Sequence, residues 1–117
     1  MRTLIIINDP PYGTERLYNA LRLAHAIRKA NEKAEVTAFL MADAVTAAKR
    51  GQKPPEGYYN VEIMLGRVIR GGGAVLLCGT CMDARGMLES EIIAGARRST
   101  MDELAATTVA ANRVLVF

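Results

Sequence analysis

The sequence predicts an α/β fold: a three-layer α/β/α sandwich built on a mostly parallel sheet of five strands. Two observations predict it. Short apolar runs rich in β-branched residues alternate with longer stretches whose apolar residues recur at helical spacing. No hairpin signal joins any two of the runs, so successive strands run parallel through crossovers that place helices on the sheet faces. The 117 residues contain no internal repeat, linker or low-complexity segment, which predicts one domain over residues 1–117.

The elements follow in order. Leu4 to Ile7 reads as a strand buried on both faces. Asn8 to Gly13 holds two prolines and cannot be helical. Thr14 is placed to cap a helix in which Leu17, Ala20, Leu21, Ala24 and Ile27 share a face, ending near Asn31. Glu35 to Met41 is the second strand. Asp43 to Arg50 reads as a short helix stopped by Gly51 in the left-handed position. After a loop from Gln52 to Tyr59, Asn60 caps a helix with Val61, Met64, Leu65 and Val68 on one face, and Gly71-Gly72-Gly73 ends it.

Ala74 to Leu77 is the third strand, leading into a turn at the cysteines. Met87 to Ile93 reads as a short helix and Ala96 to Arg98 as a brief fourth strand. Thr100 and Glu103 fit a capping box, with Glu103 reaching back over the start of the next helix. Val114 to Phe117 is the last strand.

Composition excludes several functions. No apolar run exceeds five residues, far short of the ~20 that a membrane helix needs. The amino terminus has no small-residue cleavage site after a long apolar core, so no signal peptide is expected, and the expected compartment is the cytoplasm. There, two cysteines imply reduced thiols or redox work rather than a structural disulfide. The net charge of +3 is spread over scattered lysines and arginines, and only 5% of residues are aromatic. Neither feature suits a nucleic-acid surface, so no direct nucleic-acid partner and no membrane partner are expected.

Cys78 and Cys81 are the only cysteines. They stand where the third strand stops, at the edge where parallel sheets bind ligands. The Cys-Gly-Thr-Cys spacing suits a dithiol redox pair, or a persulfide-carrying thiol beside a helper, or two small residues packed under a turn. Half a zinc site is also formally open, but the one histidine leaves tetrahedral zinc short of ligands, so no metal and no cofactor are expected. A helix beginning just after Cys81, together with the charge of Arg85, would favour thiolate over thiol. The expected acceptor is Cys78, held by the sheet at an open mouth, with Cys81 second. Gly79 and Thr80 within the turn, and Arg85, complete the expected binding residues there; a plain salt bridge from Arg85 to Asp83 or Glu89 is the competing reading.

The Tyr12-Gly13-Thr14 turn would flank the cysteines if the first and third strands were neighbours, with Gly13 supplying an unusual backbone angle and Thr14 opening a helix whose amides can hold an anion. Otherwise it is a rigid turn and cap. It is neither a dinucleotide fingerprint nor a P-loop. Gly71-Gly72-Gly73 precedes a strand and reads as a turn, His25 as a solvated residue, and Tyr58-Tyr59 as a lid, a subunit contact or an exposed loop.

Three stretches together resemble the DsrE/DsrF-like family of small sulfur-relay proteins, which includes the TusD subunits. They are Leu4 to Asn8 continuing through Tyr12-Gly13-Thr14; Cys78 followed by Arg85-Gly86; and Asp102-Glu103-Leu104 through Asn112 to Phe117. The resemblance spans essentially the whole chain. It implies the five-stranded α/β/α sandwich and assembly into trimers or hexamers, in some members from related subunits. It also implies that Cys78 accepts sulfane sulfur as a persulfide from a donor protein and passes it to an acceptor protein. Cys81 departs from the TusD pattern. A second thiol can attack the persulfide, release sulfide and leave a disulfide. The expected function is therefore sulfur relay by a homo-oligomer, with a thiol-disulfide oxidoreductase or a non-catalytic binding subunit as the alternatives.

Overall fold

A computed structural model describes residues 1–117. Its strands are Arg2–Ile7 (β1), Glu35–Leu40 (β2), Ala74–Cys78 (β3), Ala96–Ser99 (β4) and Arg113–Val116 (β5); its helices are Arg16–Ala30 (α1), Val61–Arg70 (α2), Gly79–Ala84 (α3) and Met101–Ala110 (α4). Two 3-10 segments cover Ala42–Ala48 and Glu89–Glu91. The strands form one all-parallel sheet in the order β4-β3-β2-β1-β5.

This order follows from how the chain travels. It moves one strand sideways at each step from β1 to β4, and right-handed crossovers place α1, α2 and α3 on one face. From β4 it returns to the far side of β1. That reversal puts α4 alone on the other face, against β1. The three layers are therefore unequal. Residues of β1, β2 and β3 are buried from both sides, with Ile5, Phe39 and Leu77 at most 1% exposed. The edge strand β5 is largely exposed, and Val116 is 66% exposed.

Helix ends follow local chemistry. The Asn60 side chain accepts the Ile63 N–H at 3.2 Å and Thr100 Oγ1 accepts that of Glu103 at 3.1 Å, as expected of caps. Gly51 holds φ +86, the left-handed stop that the sequence predicts. Gly73 sits where a Cβ would lie 2.8 Å from the Val36 carbonyl oxygen, so only glycine lets the end of α2 turn so closely onto β2.

Four expectations need correction. Thr14 does not occupy the cap position of α1; Glu15 does, while the Thr14 hydroxyl donates to Asp9 at 2.8 Å and accepts the Arg16 N–H at 3.3 Å from one position further back. The short helix expected over Asp43 to Arg50 is a 3-10 helix with shifted bounds, Ala42–Ala48. The helix expected over Met87 to Ile93 shrinks to Glu89–Glu91, because the chain there is pinned to neighbours, Ile93 N–H to the Ala48 carbonyl. Glu103 does not reach back over its helix. Its carboxylate takes both guanidinium nitrogens of Arg97 and the Ser99 hydroxyl instead, a stronger set of partners than one backbone amide. Those contacts hold its carboxyl down at about 2.

Candidate functional site

The site is the turn where β3 becomes α3. Cys78 ends the strand and is itself the N-cap of α3, so the helix begins at Gly79, earlier than expected. Its Sγ accepts the Cys81 N–H at 3.4 Å, as a serine or aspartate oxygen would at this position. The Thr80 hydroxyl lies 3.3 Å from the same sulfur. Thus Gly79-Thr80-Cys81 wraps one turn of helix around the Cys78 thiol.

These contacts decide its ionisation. Burial pushes the Cys78 thiol up. Hydrogen bonds from the Cys81 thiol, the Thr80 hydroxyl and the amides of Cys81 and Thr80 outweigh burial, and hold the group below the usual thiol value. Cys81 goes the other way. Burial raises it, as do its hydrogen bond to Cys78 and the charge of that neighbour; the Ala42 N–H and the Arg85 charge oppose this and are outweighed. The two sulfurs are free thiols of opposite character: one inclined to ionise, one inclined to keep its proton.

The expected open mouth is a small cleft instead. Cys78 is only 7% exposed and lines a cavity of about 170 Å³ walled by Phe39, Met41, Thr80, Arg98 and Thr100. These residues come from the ends of β2, β3 and β4. The ordering of the sheet explains why, since β2 and β4 flank β3.

Tyr12, Gly13 and Thr14 do not flank the cleft, because β2 separates β1 from β3. Tyr12 instead donates its hydroxyl to Gln52 Oε1 at 2.5 Å and accepts the Val61 N–H at 3.3 Å. Gly13 does not take the left-handed backbone angle; a Cβ there would lie 3.1 Å from Pro10 Cγ. Arg85 is also reassigned. Its guanidinium holds Asp43 Oδ1 at 2.8 and 2.9 Å and donates to the Cys81 carbonyl at 3.1 Å. It braces the turn from the Cys81 side, with its charge opposed by a carboxylate that is neither Asp83 nor Glu89.

Arg98 is the cation that lines the cleft, and the sequence reading passed over it. It bonds both Asp83 oxygens, at 2.7 and 2.8 Å, and its guanidinium lies flat on Gly79. A Cβ on that glycine would stand 2.7 Å from Arg98 Nε. The available signal was the pair Arg97-Arg98 in a strand next to the cysteine strand, where two successive cations must face opposite sides of the sheet.

Ala42 is the second residue missed. It holds φ +50, left-handed for a residue with a Cβ, and donates its N–H to Cys81 Sγ at 3.2 Å. No three histidine, cysteine, aspartate or glutamate side chains converge in a way that would hold a metal ion. No helix is long and apolar enough to cross a membrane.

Known proteins share this chain's sequence pattern and fold. The chain is 45% identical to Protein YchN of Escherichia coli over 116 residues, covering 99% of this chain and 98% of that protein. It is 38% identical to the uncharacterized protein MJ0989 of Methanocaldococcus jannaschii, over the whole of both chains. The crystal structure of the E. coli ychN protein superposes with a TM-score of 0.93 over the full length of both. The Methanobacterium thermoautotrophicum protein of unknown function MTH1491, at 11% identity and a TM-score of 0.82, shares the fold. The model of the DsrE/DsrF-like family matches residues 1–117, and the chain belongs to that family.

Proposed function

We propose that this protein relays sulfane sulfur, carrying it as a persulfide on Cys78. The observation that carries the reading is the environment of one atom: the Cys78 sulfur accepts the Cys81 amide N–H and lies 3.3 Å from the Thr80 hydroxyl, in the lining of a small cleft. The thiolate attacks the outer sulfur of a donor persulfide. The donor S–S bond breaks, its inner sulfur leaves with the electron pair and takes a proton, and Cys78 gains one sulfur. For delivery, an acceptor thiolate attacks that outer sulfur and Cys78 leaves as thiolate. The same hydrogen bonds favour that departure, because a leaving thiol of lower pKa leaves faster.

Cys81 gives the relay a discharge route. Once deprotonated, its sulfur can attack the inner sulfur of the persulfide, forming the Cys78–Cys81 disulfide and expelling hydrosulfide. An external dithiol then resets the pair. The opposed tendencies of the two thiols also favour a second reading, a thiol-disulfide oxidoreductase using the same pair.

We further infer a cytoplasmic homo-oligomer, a trimer or hexamer, that exchanges sulfur with separate donor and acceptor proteins. The thinly covered side of the sheet supports assembly, since Val109 of α4 and Val116 of β5 are 88% and 66% exposed.

Mass spectrometry after incubation with a persulfide donor tests the relay. One added sulfur should map to Cys78, vanish in Cys78→Ser, and last longer in Cys81→Ser. An unmodified Cys78 that still reacts freely with an alkylating reagent would refute it, and turnover of a disulfide substrate would then favour the oxidoreductase.

A further inference from the structure

We propose that a second site, away from the cysteine cleft, binds an anionic ligand with a planar ring, of the chemical class of a mononucleotide. All four tyrosines of the chain meet at one corner. They line two adjoining cavities of about 440 and 430 Å³, which share Tyr58 and Tyr59. Each lies within the ~300–1,000 Å³ usual for small-molecule sites. Tyr59 stacks on Tyr18 with ring centroids 4.2 Å apart and on Tyr12 at 5.8 Å, so three rings form a continuous pile. Tyr58 stands outside the pile, 69% exposed, beside it.

The side chains that line these cavities are all basic or neutral. Arg22 and Arg67 line the second cavity and Lys53 the first, and no carboxylate lines either. Carboxylates hold Arg2, Arg16, Arg85, Arg97 and Arg98 elsewhere in the molecule, but none holds Arg22, Arg67 or Lys53. Glu62, whose charge acts on the Tyr12 hydroxyl from outside the lining, accepts the Gln52 N–H. Arg22 lies 5.5 Å from the centre of the Tyr18 ring, close enough for a cation–π contact.

Simple packing accounts for the half-buried Tyr18 and Tyr59. It does not account for an exposed aromatic ring flanked by unneutralised cations. A planar ring laid on Tyr58 would gain stacking, and a phosphate beside it would meet Arg22 and Arg67. Phosphate alone lacks the stack, and an uncharged nucleoside lacks the ion contacts. The ligand therefore needs both parts. The corner is built from α1, α2 and the loops that precede them, and it shares no lining residue with the cysteine cleft.

Tyrosine ring-proton NMR of the whole chain tests this, with AMP, adenosine and inorganic phosphate as separate probes. AMP should move the Tyr58 and Tyr59 ring resonances, with adenosine and phosphate each about tenfold weaker. Tyr58→Ala should weaken AMP about tenfold. Its exposed ring makes no hydrogen bond, so the unfolding midpoint should hold. Arg22→Ala combined with Arg67→Ala should bring AMP down to the affinity of adenosine. Three results would overturn the proposal: no AMP-induced shift at millimolar concentration, adenosine binding as well as AMP, or undiminished AMP binding by Tyr58→Ala. Ring resonances that move with protein concentration alone would assign the corner to a second copy of the chain, and would also overturn it.

Discussion

Replacing Thr80 with valine keeps the shape of the side chain and removes the hydroxyl 3.3 Å from Cys78 Sγ. A hydrogen bond to a charged group contributes about 1.5–3 kcal/mol; a sulfur acceptor and an exposed donor bring this to about 1 kcal/mol. At 1.36 kcal/mol per pKa unit, about 1 kcal/mol is roughly a fivefold loss in the acid dissociation constant of Cys78. Below that pKa the thiolate fraction falls about fivefold. The remaining thiolate is more basic, and a Brønsted slope of about 0.4–0.5 makes it roughly twice as nucleophilic. Thr80→Val should therefore react about 2.5-fold more slowly at pH values below the thiol pKa of both proteins and about twofold faster at high pH, where both are fully ionised. The assay is the release of chromophore from an aromatic disulfide across a pH series, in a Cys81→Ser background so that one thiol reports. Thr80→Ser should follow the parent. Superimposable pH profiles, or a faster valine variant on the acid limb of the profile, would refute the idea that this hydroxyl sustains the thiolate.

Other outcomes follow from the same structure. Cys81 holds its proton more tightly than Cys78, so in the unaltered protein limiting iodoacetamide near neutral pH should label Cys78 first, read by peptide mass mapping. Leu77→Ala opens a hole in the fully buried third strand and should cost about 2–5 kcal/mol in urea unfolding. The Glu103 carboxyl sits at about 2 in the folded chain against 4.5 ordinarily, held first by Arg97 and then by Ser99. Its contribution is complete above the ordinary value and disappears as the pH falls through about 2. Solvent screening at 34% exposure reduces it to about 1 kcal/mol. Glu103→Gln should remove that part of the acid sensitivity when urea midpoints at about pH 6 and about pH 2 are compared.

The central strands were legible because burial on both faces leaves continuous apolar runs, as at Leu4 to Ile7 and Ala74 to Leu77. Asn60 and Thr100 were legible because a cap is a local event. The Cys78 cap was not, since a thiol is outside the usual set of capping side chains and its helix has only six residues. The strand order was harder still. Runs buried on both faces pair acceptably with any neighbour, so nothing local says that β2 lies between β1 and β3. That long-range fact removed Tyr12, Gly13 and Thr14 from the cleft, and a second one, the pairing of β4 with β3, brought Arg98 into it. The partnership of Arg85 with Asp43, 42 positions away, escaped for the same reason, whereas Asp83 and Glu89 were merely close in sequence.

Ala42 ties the mechanics of the backbone to the chemistry of a sulfur. An alanine held at φ +50 carries a steric cost of about 1–2 kcal/mol, so the polypeptide there behaves like a bent spring whose tip is the amide resting on Cys81. Glycine would relax the spring, yet its greater freedom when unfolded returns about 0.5–1 kcal/mol of the gain. Ala42→Gly should therefore melt a few degrees higher while the amide wanders from the sulfur. Thermal scans would report only the added stability, and a titration of the second thiol would register the amide's departure as a further upward drift.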